Sequence, residues 1–293
     1  MLSILYVTRN RCEELKKSIL SCEAHISMEH EYIIVDNGSA DDTHLMVEDL
    51  IEQGLRIEYF KQTENKGVSE GRNIAFSLAK GEICYFIDDD AVIISDGFVL
   101  DDAYEQMMKY PAVGAMGTDC YDEERGRHLI GCREKRVAPN KYARIRCYIG
   151  CSHFIKKRAV FDSYLYPSNL VYGSEELYVG LTMYKNGFEV WQFPEVKVLH
   201  RPSKKTRESQ KIRQRNIHVN LYVIKKYFLP GPFRILSWVL ILARVIRFEK
   251  GDMRLVASDM KLAKQRYEAQ YRRILSISET WKLCRMFGVK NII

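Results

Sequence analysis

Apolar and polar positions in the first hundred residues follow two periods in turn, one typical of strands and the other of helices. Apolar runs such as 32–35 predict strands covered on both faces, whereas Leu15, Ile19 and Cys22 recur at the spacing of one helix face. This β-α-β-α-β-α-β order implies a mostly parallel sheet with right-handed crossovers. Strands are predicted at 3–8, 32–35, 56–60 and 83–87, and helices at 13–24, between Asp42 and Gly54, and at 69–80.

Polar residues follow three of these strands at their carboxyl ends, where ligands bind in parallel sheets. They are residues 8–11, 36–39 and the triplet Asp88–Asp90. Three adjacent carboxylates repel one another unless a cation compensates them, and hard divalent cations take carboxylate oxygens while leaving room for phosphates. The triplet therefore predicts a metal site for a nucleoside diphosphate, with an Asp-rich turn as the alternative. No GxGxxG or P-loop follows the first strand, which disfavours a dinucleotide-binding fold.

Charge is distributed unevenly along the 293 residues. Residues 201–293 hold 22 basic and 6 acidic side chains, whereas residues 1–200 hold 23 and 32. The longest nearly continuous apolar run, 235–243, is interrupted by Ser237 and is shorter than the roughly 20 residues that span a bilayer. A basic segment interleaved with apolar residues favours a helix at an anionic membrane surface. Packing on the body or in a homo-oligomer is the alternative, and nucleic acid is disfavoured because no RNA-binding motif is present.

The eight cysteines show no CxxC spacing. Cys147, Cys151 and His153 could form half of a zinc site, but no second close pair completes four ligands. We therefore expect reduced, mostly buried thiols in a cytosolic protein.

Several further motifs, taken in order, give the chain a resemblance to family 2 glycosyltransferases, the inverting enzymes with the GT-A fold. Each motif is weak by itself, and the match rests on their number, order and spacing over about residues 1–230. The segments that carry it are 5–10, 34–39 with Asp42 and Thr43, 65–67 with 71–73, 86–90, 172–176, 186–194 and 198–200.

The resemblance implies an α/β GT-A fold, a Rossmann-like and mostly parallel central sheet with helices on both faces, followed by a helical C-terminal extension. Residues 1–100 would bind the nucleotide sugar, residues 101–205 would bind the acceptor and complete catalysis, and residues 206–293 would form a basic amphipathic tail. The nucleotide-sugar ligands implied are Thr8, Asn10, Asp36, Asn65, Arg72, Asn73, Asp88 and Asp89.

The resemblance also assigns a role to individual side chains. Asp36 would accept the imide N–H of the base, Asp88 would lie toward the ribose, and Asp90 with His200 would hold Mn²⁺ or Mg²⁺. A structural histidine at the end of a strand is the alternative for His200. Imidazole joins oxygen ligands around Mn²⁺ more readily than around Mg²⁺.

Glu175 and Glu176 stand where the family usually has Glu-Asp at the start of a helix. We place the catalytic base at Glu176, with Glu175 as the next choice. Two carboxylates that merely favour the helix dipole are the alternative. Tyr178 and Leu181 occupy positions where many relatives carry Asp and Arg.

The function expected is metal-dependent, inverting transfer of a sugar from a UDP- or dTDP-linked donor to a hydroxyl acceptor in surface-glycan synthesis. The acceptor would be a glycan or a lipid-linked molecule, and the protein would be cytoplasmic and peripheral at the inner face of the cell membrane. Two alternatives remain: a nucleotidyltransferase that makes the sugar nucleotide, and a non-catalytic nucleotide-binding module.

Overall fold

The computed structural model describes residues 1–129, 131–134, 142–202 and 209–293. Its strands confirm the predicted alternation in the first hundred residues. The strands are β1 Leu2–Thr8, β2 His30–Asp36, β3 Ile57–Lys61, β4 Ile83–Ile87, β5 Ala91–Ile93, β6 Val113–Asp122, β7 Arg127–Leu129, β8 Ser152–Lys156 and β9 Glu189–His200. The helices are α1 Cys12–Glu23, α2 Thr43–Glu52, α3 Val68–Leu78, α4 Val99–Lys109, α5 Glu175–Lys185, α6 Gln210–Phe228, α7 Gly231–Phe248, α8 Met253–Gln265, α9 Ile277–Phe287 and α10 Val289–Ile292.

One sheet runs through the molecule in the order β3-β2-β1-β4-β8-β6-β9-β5, with β7 paired to β6. The first four strands of this order are parallel to one another, as the sequence predicts. In the second half, β8 is antiparallel to both β4 and β6, β9 is parallel to β6, and β5 is antiparallel to β9.

The short connection between β4 and β5 makes the sheet curl. Only Asp88, Asp89 and Asp90 separate the two strands in sequence, although β8, β6 and β9 lie between them in the sheet. Four flat strand spacings would span about 19 Å, whereas four residue steps reach at most about 15 Å. The second half of the sheet therefore bends back, and this bend brings the end of β9 to the triplet.

Two hydrophobic clusters cover the two faces of the sheet, which confirms the predicted layers of helices on both sides. Side chains of α1, α2 and α4 contribute to one cluster, whereas α3, α5, α6 and α9 contribute to the other.

Residues 209–293 share the second of these clusters with the sheet. The Tyr178 hydroxyl on α5 donates to the Tyr271 carbonyl at 3.1 Å, and the backbone N–H of Leu275 donates to the Phe228 carbonyl at 2.9 Å. The C-terminal helices are thus packed on the body. The expected boundary after residue 100 falls inside α4, and the one after residue 205 lies outside the described residues.

Helix α7 buries one stripe and exposes the other. Ser237, Ile241 and Val245 face inward at four-residue intervals. None of the helices in the described ranges is both long and apolar enough to cross a bilayer.

Candidate active site

The aspartate triplet is fixed by backbone hydrogen bonds on both sides. The Asp88 N–H donates to the Cys151 carbonyl at 2.8 Å, and the Ala91 N–H donates to the Asp88 carbonyl at 3.1 Å. The three carboxylates consequently meet different surroundings: the Asp88 side chain is 33% exposed, whereas those of Asp89 and Asp90 are buried.

Asp89 points inward and ties the triplet to the end of β1. Its carboxylate accepts hydrogen bonds from the Thr8 hydroxyl at 2.7 Å and from Arg11 at 2.6 Å. Burial and the neighbouring Asp90 raise the pKa of Asp89 to about 7, although Arg11 lowers it. Two of the expected donor-binding residues, Thr8 and Asp89, are therefore joined to each other.

Asp88, Asp90 and His200 form a group whose ligand atoms all lie within 4.8 Å of one another. His200 Nε2 lies 3.3 Å from Asp90 Oδ1, and its Nδ1 lies 3.5 Å from Asp122 Oδ2. Antiparallel pairing of Ala91 with His200 places the imidazole beside the triplet. The resemblance implied Asp88 near the ribose, and here one of its oxygens also joins the candidate cation ligands.

The two carboxylates of this group stabilise positive charge on His200. Burial lowers the pKa of His200, but its contact with Asp90 and the charges of Asp88 and Asp90 outweigh burial and raise that pKa to about 9. Carboxylate oxygens with one imidazole nitrogen form a donor set that suits Mn²⁺. The residues present thus fit a divalent cation.

Arg72 on α3 connects the triplet to the loop that carries Gly150. It is 5% exposed, and its guanidinium donates to Asp88 at 3.0 Å and to the Gly150 carbonyl at 2.8 Å. The guanidinium also lies 5.6 Å from the centre of the Tyr166 ring. Burial lowers the pKa of Arg72, but Tyr166, Asp88 and Glu176 outweigh it and raise that pKa, so the side chain stays cationic.

The two adjacent glutamates at the start of α5 have different surroundings. Glu175 is buried, and its carboxylate accepts the Gly173 N–H at 2.6 Å, closing the turn before the helix. Burial and the charge of Glu175 raise the pKa of Glu176 to about 8, although Arg72 lowers it. Glu176 therefore has a carboxylate with a raised pKa, whereas the carboxylate of Glu175 is engaged by the backbone.

Gly150 makes room for the Glu176 carboxylate. A Cβ atom at this position would lie 2.1 Å from Glu176 Oε1 and 3.4 Å from an Arg72 nitrogen. Arg72 also donates to Asp88 and interacts electrostatically with Glu176. One guanidinium therefore connects Glu176 with the acidic group. The acidic group comprises Asp88, Asp90 and His200.

Asp36 and Asn10 lie at the neighbouring strand ends. Asp36 is fully buried and accepts hydrogen bonds from the Ser39 backbone and hydroxyl and from the Tyr59 hydroxyl at 2.6 Å. The Asn10 side chain accepts the Ala40 N–H at 2.8 Å, and the Asn10 N–H donates to the Ser39 hydroxyl. The loops after β1 and β2 therefore support each other.

The structure gives the two expected asparagines local partners. Asn65 is exposed and accepts the Gly67 N–H at 2.9 Å. Asn73 accepts the N–H groups of Leu165 and Tyr166 and donates to the Tyr166 carbonyl at 2.7 Å. Asn73 thus holds the loop that carries Tyr166 beside Arg72.

The sequence analysis did not predict that three residues of this region act on the triplet or on Arg72. Arg11 bridges Asp89 and Asp90, while Tyr166 and Gly150 position Arg72. A cation close after β1, facing an acidic triplet after β4, was a usable signal for Arg11. The single Gly150 and the distant Tyr166 gave no such signal.

Comparisons with known proteins bear on the family and the fold of the chain. A sequence model described as Glycosyl transferase family 2 matches residues 3–164. A Campylobacter jejuni protein named GalNAc(5)-diNAcBac-PP-undecaprenol beta-1,3-glucosyltransferase is 35% identical over 95 residues, or 32% of this chain and 31% of that protein. An uncharacterized Haemophilus influenzae protein is 23% identical over 172 residues, or 57% of this chain and 93% of that protein.

Two solved structures share the fold. Staphylococcus aureus TarS 1-349 has a TM-score of 0.60 at 19% identity, over 77% of this chain and 64% of its own. The mannosyltransferase PcManGT from Pyrobaculum calidifontis, in complex with GDP-Man and Mn²⁺, has a TM-score of 0.64 at 18% identity, over 97% and 78%. The chain therefore spans about a third of the Campylobacter protein and less than two thirds of TarS 1-349. With the family match covering more than half of its residues, this chain belongs to glycosyltransferase family 2 and has the GT-A fold.

Proposed function

We propose that the protein is a metal-dependent, inverting glycosyltransferase that moves a sugar from a nucleoside diphosphate to a hydroxyl acceptor. The observation that carries this proposal is the arrangement of two acidic centres around Arg72. Asp88, Asp90 and His200 form one centre, and Glu176 forms the other. A departing diphosphate needs positive charge near it, which a cation held by the first centre would provide. An acceptor hydroxyl needs a base, which the second centre would provide.

Asp88, Asp90 and His200 would hold the divalent cation, which when bound neutralises charge developing on the departing diphosphate. Arg72 adds a fixed positive charge on the same side because its guanidinium is bonded and buried. Arg11 holds Asp90 and Asp89 in place and balances their charge.

Glu176 would remove the proton from the acceptor hydroxyl. The acceptor oxygen forms its bond to the anomeric carbon while the bond from that carbon to the diphosphate oxygen breaks. The leaving diphosphate keeps the electron pair, the proton ends on Glu176, and a single displacement inverts the anomeric configuration. A carboxylate with a pKa near working pH is well suited to this transfer.

The proposed donor is a UDP- or dTDP-linked sugar, on the basis of Asp36. In the structure its two oxygens already contact Ser39 and Tyr59, so an imide N–H would share an oxygen that also serves the loop. The fold itself accepts more than one base: TarS 1-349 is known in complex with UDP-GlcNAc, and PcManGT with GDP-Man. A panel of donors therefore belongs in the first assay.

The test measures release of nucleoside diphosphate with a panel of donors and acceptors, with Mn²⁺, with Mg²⁺ and with EDTA. We expect turnover that EDTA abolishes, and loss of turnover in Asp90→Ala. Asp102→Ala, at an exposed position on α4, is the control for loss of a carboxylate elsewhere. Equal rates in wild type and Asp90→Ala contradict the metal assignment, pyrophosphate release indicates a nucleotidyltransferase, and binding without turnover indicates a binding module.

We further propose a lipid-linked acceptor at an anionic membrane surface on the cytoplasmic side. The name of the Campylobacter relative includes a polyprenyl diphosphate, and α7 presents a suitable docking face. Arg234 borders this face and Arg244 and Arg247 are exposed further along the helix. The exposed apolar side chains of this face are Ile235, Leu236, Trp238, Val239 and Leu240.

Vesicle flotation tests this docking face on the full chain. Wild type should float with vesicles that contain an anionic phospholipid, and less with neutral vesicles or at high salt, since salt screens surface charge. Trp238→Glu with Leu240→Glu should abolish flotation. Ile277→Glu, at a 57% exposed position on α9, is the matched control. Unchanged flotation of the double variant would remove the membrane proposal.

A further inference from the structure

Two buried thiols lie beside the acidic group. Cys120 on β6 is fully buried, Cys151 directly before β8 is 5% exposed, and their sulfur atoms are 2.9 Å apart. Both are free cysteines in the structure. The Thr118 hydroxyl donates to the Ser152 carbonyl at 3.0 Å, which holds the two segments together next to the thiols.

His200 belongs to the thiol pair as well as to the acidic group. Ligand atoms of Cys120, Cys151 and His200 all lie within 4.8 Å of one another. Register explains this arrangement, because β6 and β9 run in parallel and pair Cys120 with Val198 and Asp122 with His200. Two potential donor sets therefore meet at a single imidazole.

The two sets suit different metals. Asp88 and Asp90 offer hard oxygen atoms, which Mn²⁺ and Mg²⁺ prefer, whereas two sulfurs and an imidazole nitrogen are typical ligands of Zn²⁺ and other thiophilic cations. Cys120, Cys151 and His200 are far apart in sequence and are brought together by the pairing of β6, β8 and β9. No CxxC spacing therefore marks this set in the sequence.

We propose that Cys120, Cys151 and His200 form a binding site for a thiophilic divalent cation, and that occupancy of this site excludes the cation held by Asp88, Asp90 and His200. On binding, the two thiols and the protonated imidazole each lose one proton to solvent. Two sulfur–metal bonds and one nitrogen–metal bond form, with no change of oxidation state. When a cation at the thiol site binds the His200 imidazole, that imidazole is no longer a ligand for a cation at Asp88 and Asp90. The binding step stands without the proposed function, whereas its inhibitory consequence rests on it.

The direct test is titration of Cd²⁺ into the reduced, metal-free full-length protein, read by ultraviolet charge-transfer absorbance of cadmium–thiolate bonds. We expect saturation at one equivalent in wild type and loss of at least nine tenths of the absorbance in Cys120→Ser and in Cys151→Ser. Cys12→Ser, a partly exposed cysteine at the start of α1, is the control and should titrate like wild type. Circular dichroism of each variant shows that it is folded.

A wild-type protein without a saturating signal overturns the proposal, and so does a signal as large as that of wild type in either Ser variant. If either variant fails to fold, protection of Cys120 and Cys151 from alkylation by one equivalent of Cd²⁺, mapped by mass spectrometry on wild type, decides instead. Where transferase activity is found, Zn²⁺ should inhibit Mn²⁺-supported turnover of wild type at least tenfold more strongly than that of Cys120→Ser. The absorbance titration gives its answer even if no donor is turned over.

Discussion

Glu176 is the side chain whose protonation state should limit the proposed reaction. Burial and Glu175 raise its pKa to about 8, and only the deprotonated form accepts the proton of the acceptor. We expect kcat/KM to rise about tenfold per pH unit below about pH 8 and to level off above it. Nucleoside diphosphate release, measured over this pH range at saturating metal, checks this dependence.

Two neutral variants separate the glutamates. Glu176→Gln should lower kcat by a factor on the order of 10²–10⁴ and remove the pH dependence. Glu175→Gln keeps a carbonyl oxygen for the Gly173 N–H and should retain most of the wild-type kcat. Its pH profile should level off at a lower pH than that of wild type, because the charge of Glu175 no longer raises the pKa of Glu176. A larger loss in Glu175→Gln than in Glu176→Gln would assign the base to Glu175.

Gly150 gives a second prediction at the residue scale. The added methyl group in Gly150→Ala would meet Glu176 Oε1 at 2.1 Å, so the carboxylate must turn away from Arg72. We expect kcat to fall at least tenfold, with a melting temperature close to that of wild type. Gly231→Ala, where no atom lies within 4 Å of the added carbon, should leave both unchanged. Wild-type kcat in Gly150→Ala would mean that Glu176 does not act from this position.

At the scale of elements, Asn73 joins α3 to the loop before α5. Asn73→Ala removes three hydrogen bonds with Leu165 and Tyr166, and leaving buried backbone groups unpaired should cost about 2–4 kcal/mol of unfolding free energy. Chemical denaturation measures this cost. The exposed Asn65→Ala, which loses one turn hydrogen bond, should cost less than about 1 kcal/mol.

The same variant distinguishes support of the loop from contact with the donor. If Asn73 mainly supports Tyr166, stability falls first and donor KM changes only as Arg72 shifts. A large rise in donor KM at wild-type stability would restore the donor-binding role that the resemblance implied.

The sequence predicted features that depend on neighbouring residues better than features that depend on residues far apart in the chain. The strands and helices of the first hundred residues follow from apolar periodicity, and the triplet follows from its place after β4. The partners of Asp89 and Asn73 were not predictable, because they depend on contacts with Thr8 and Tyr166, 81 and 93 residues away. Polar residues near a site can equally hold ligand or loop, and periodicity does not separate these roles.

Tyr178 illustrates how a departure from the family pattern acquires a local reason. The resemblance implied Asp at this position, whereas the tyrosine here is buried and its hydroxyl donates to the Tyr271 carbonyl. Leu181 is also buried in the same cluster. Tyr178 thus joins α5 to the C-terminal region, where its ring also contacts the rings of Tyr227 and Phe228.

At the scale of the whole molecule, we expect the C-terminal helices and the sheet to unfold in one transition, because they share one hydrophobic cluster. Leu283→Ala on α9 should lower the unfolding free energy by about 2–5 kcal/mol and shift that single transition. Lys282→Ala, exposed on the same helix, should change it by less than about 0.5 kcal/mol. Calorimetry that resolved two separate transitions, with only one shifted, would contradict a common core.

The three-residue tie between β4 and β5 has a consequence for how such a protein can diversify. Each added residue there would let β5 and its neighbour β9 move away from β4, and His200 on β9 would then move away from Asp90. Length variation is therefore tolerated poorly at the centre. New specificities should arise by changes in loops away from this connection, while the connection between β4 and β5 keeps its three residues.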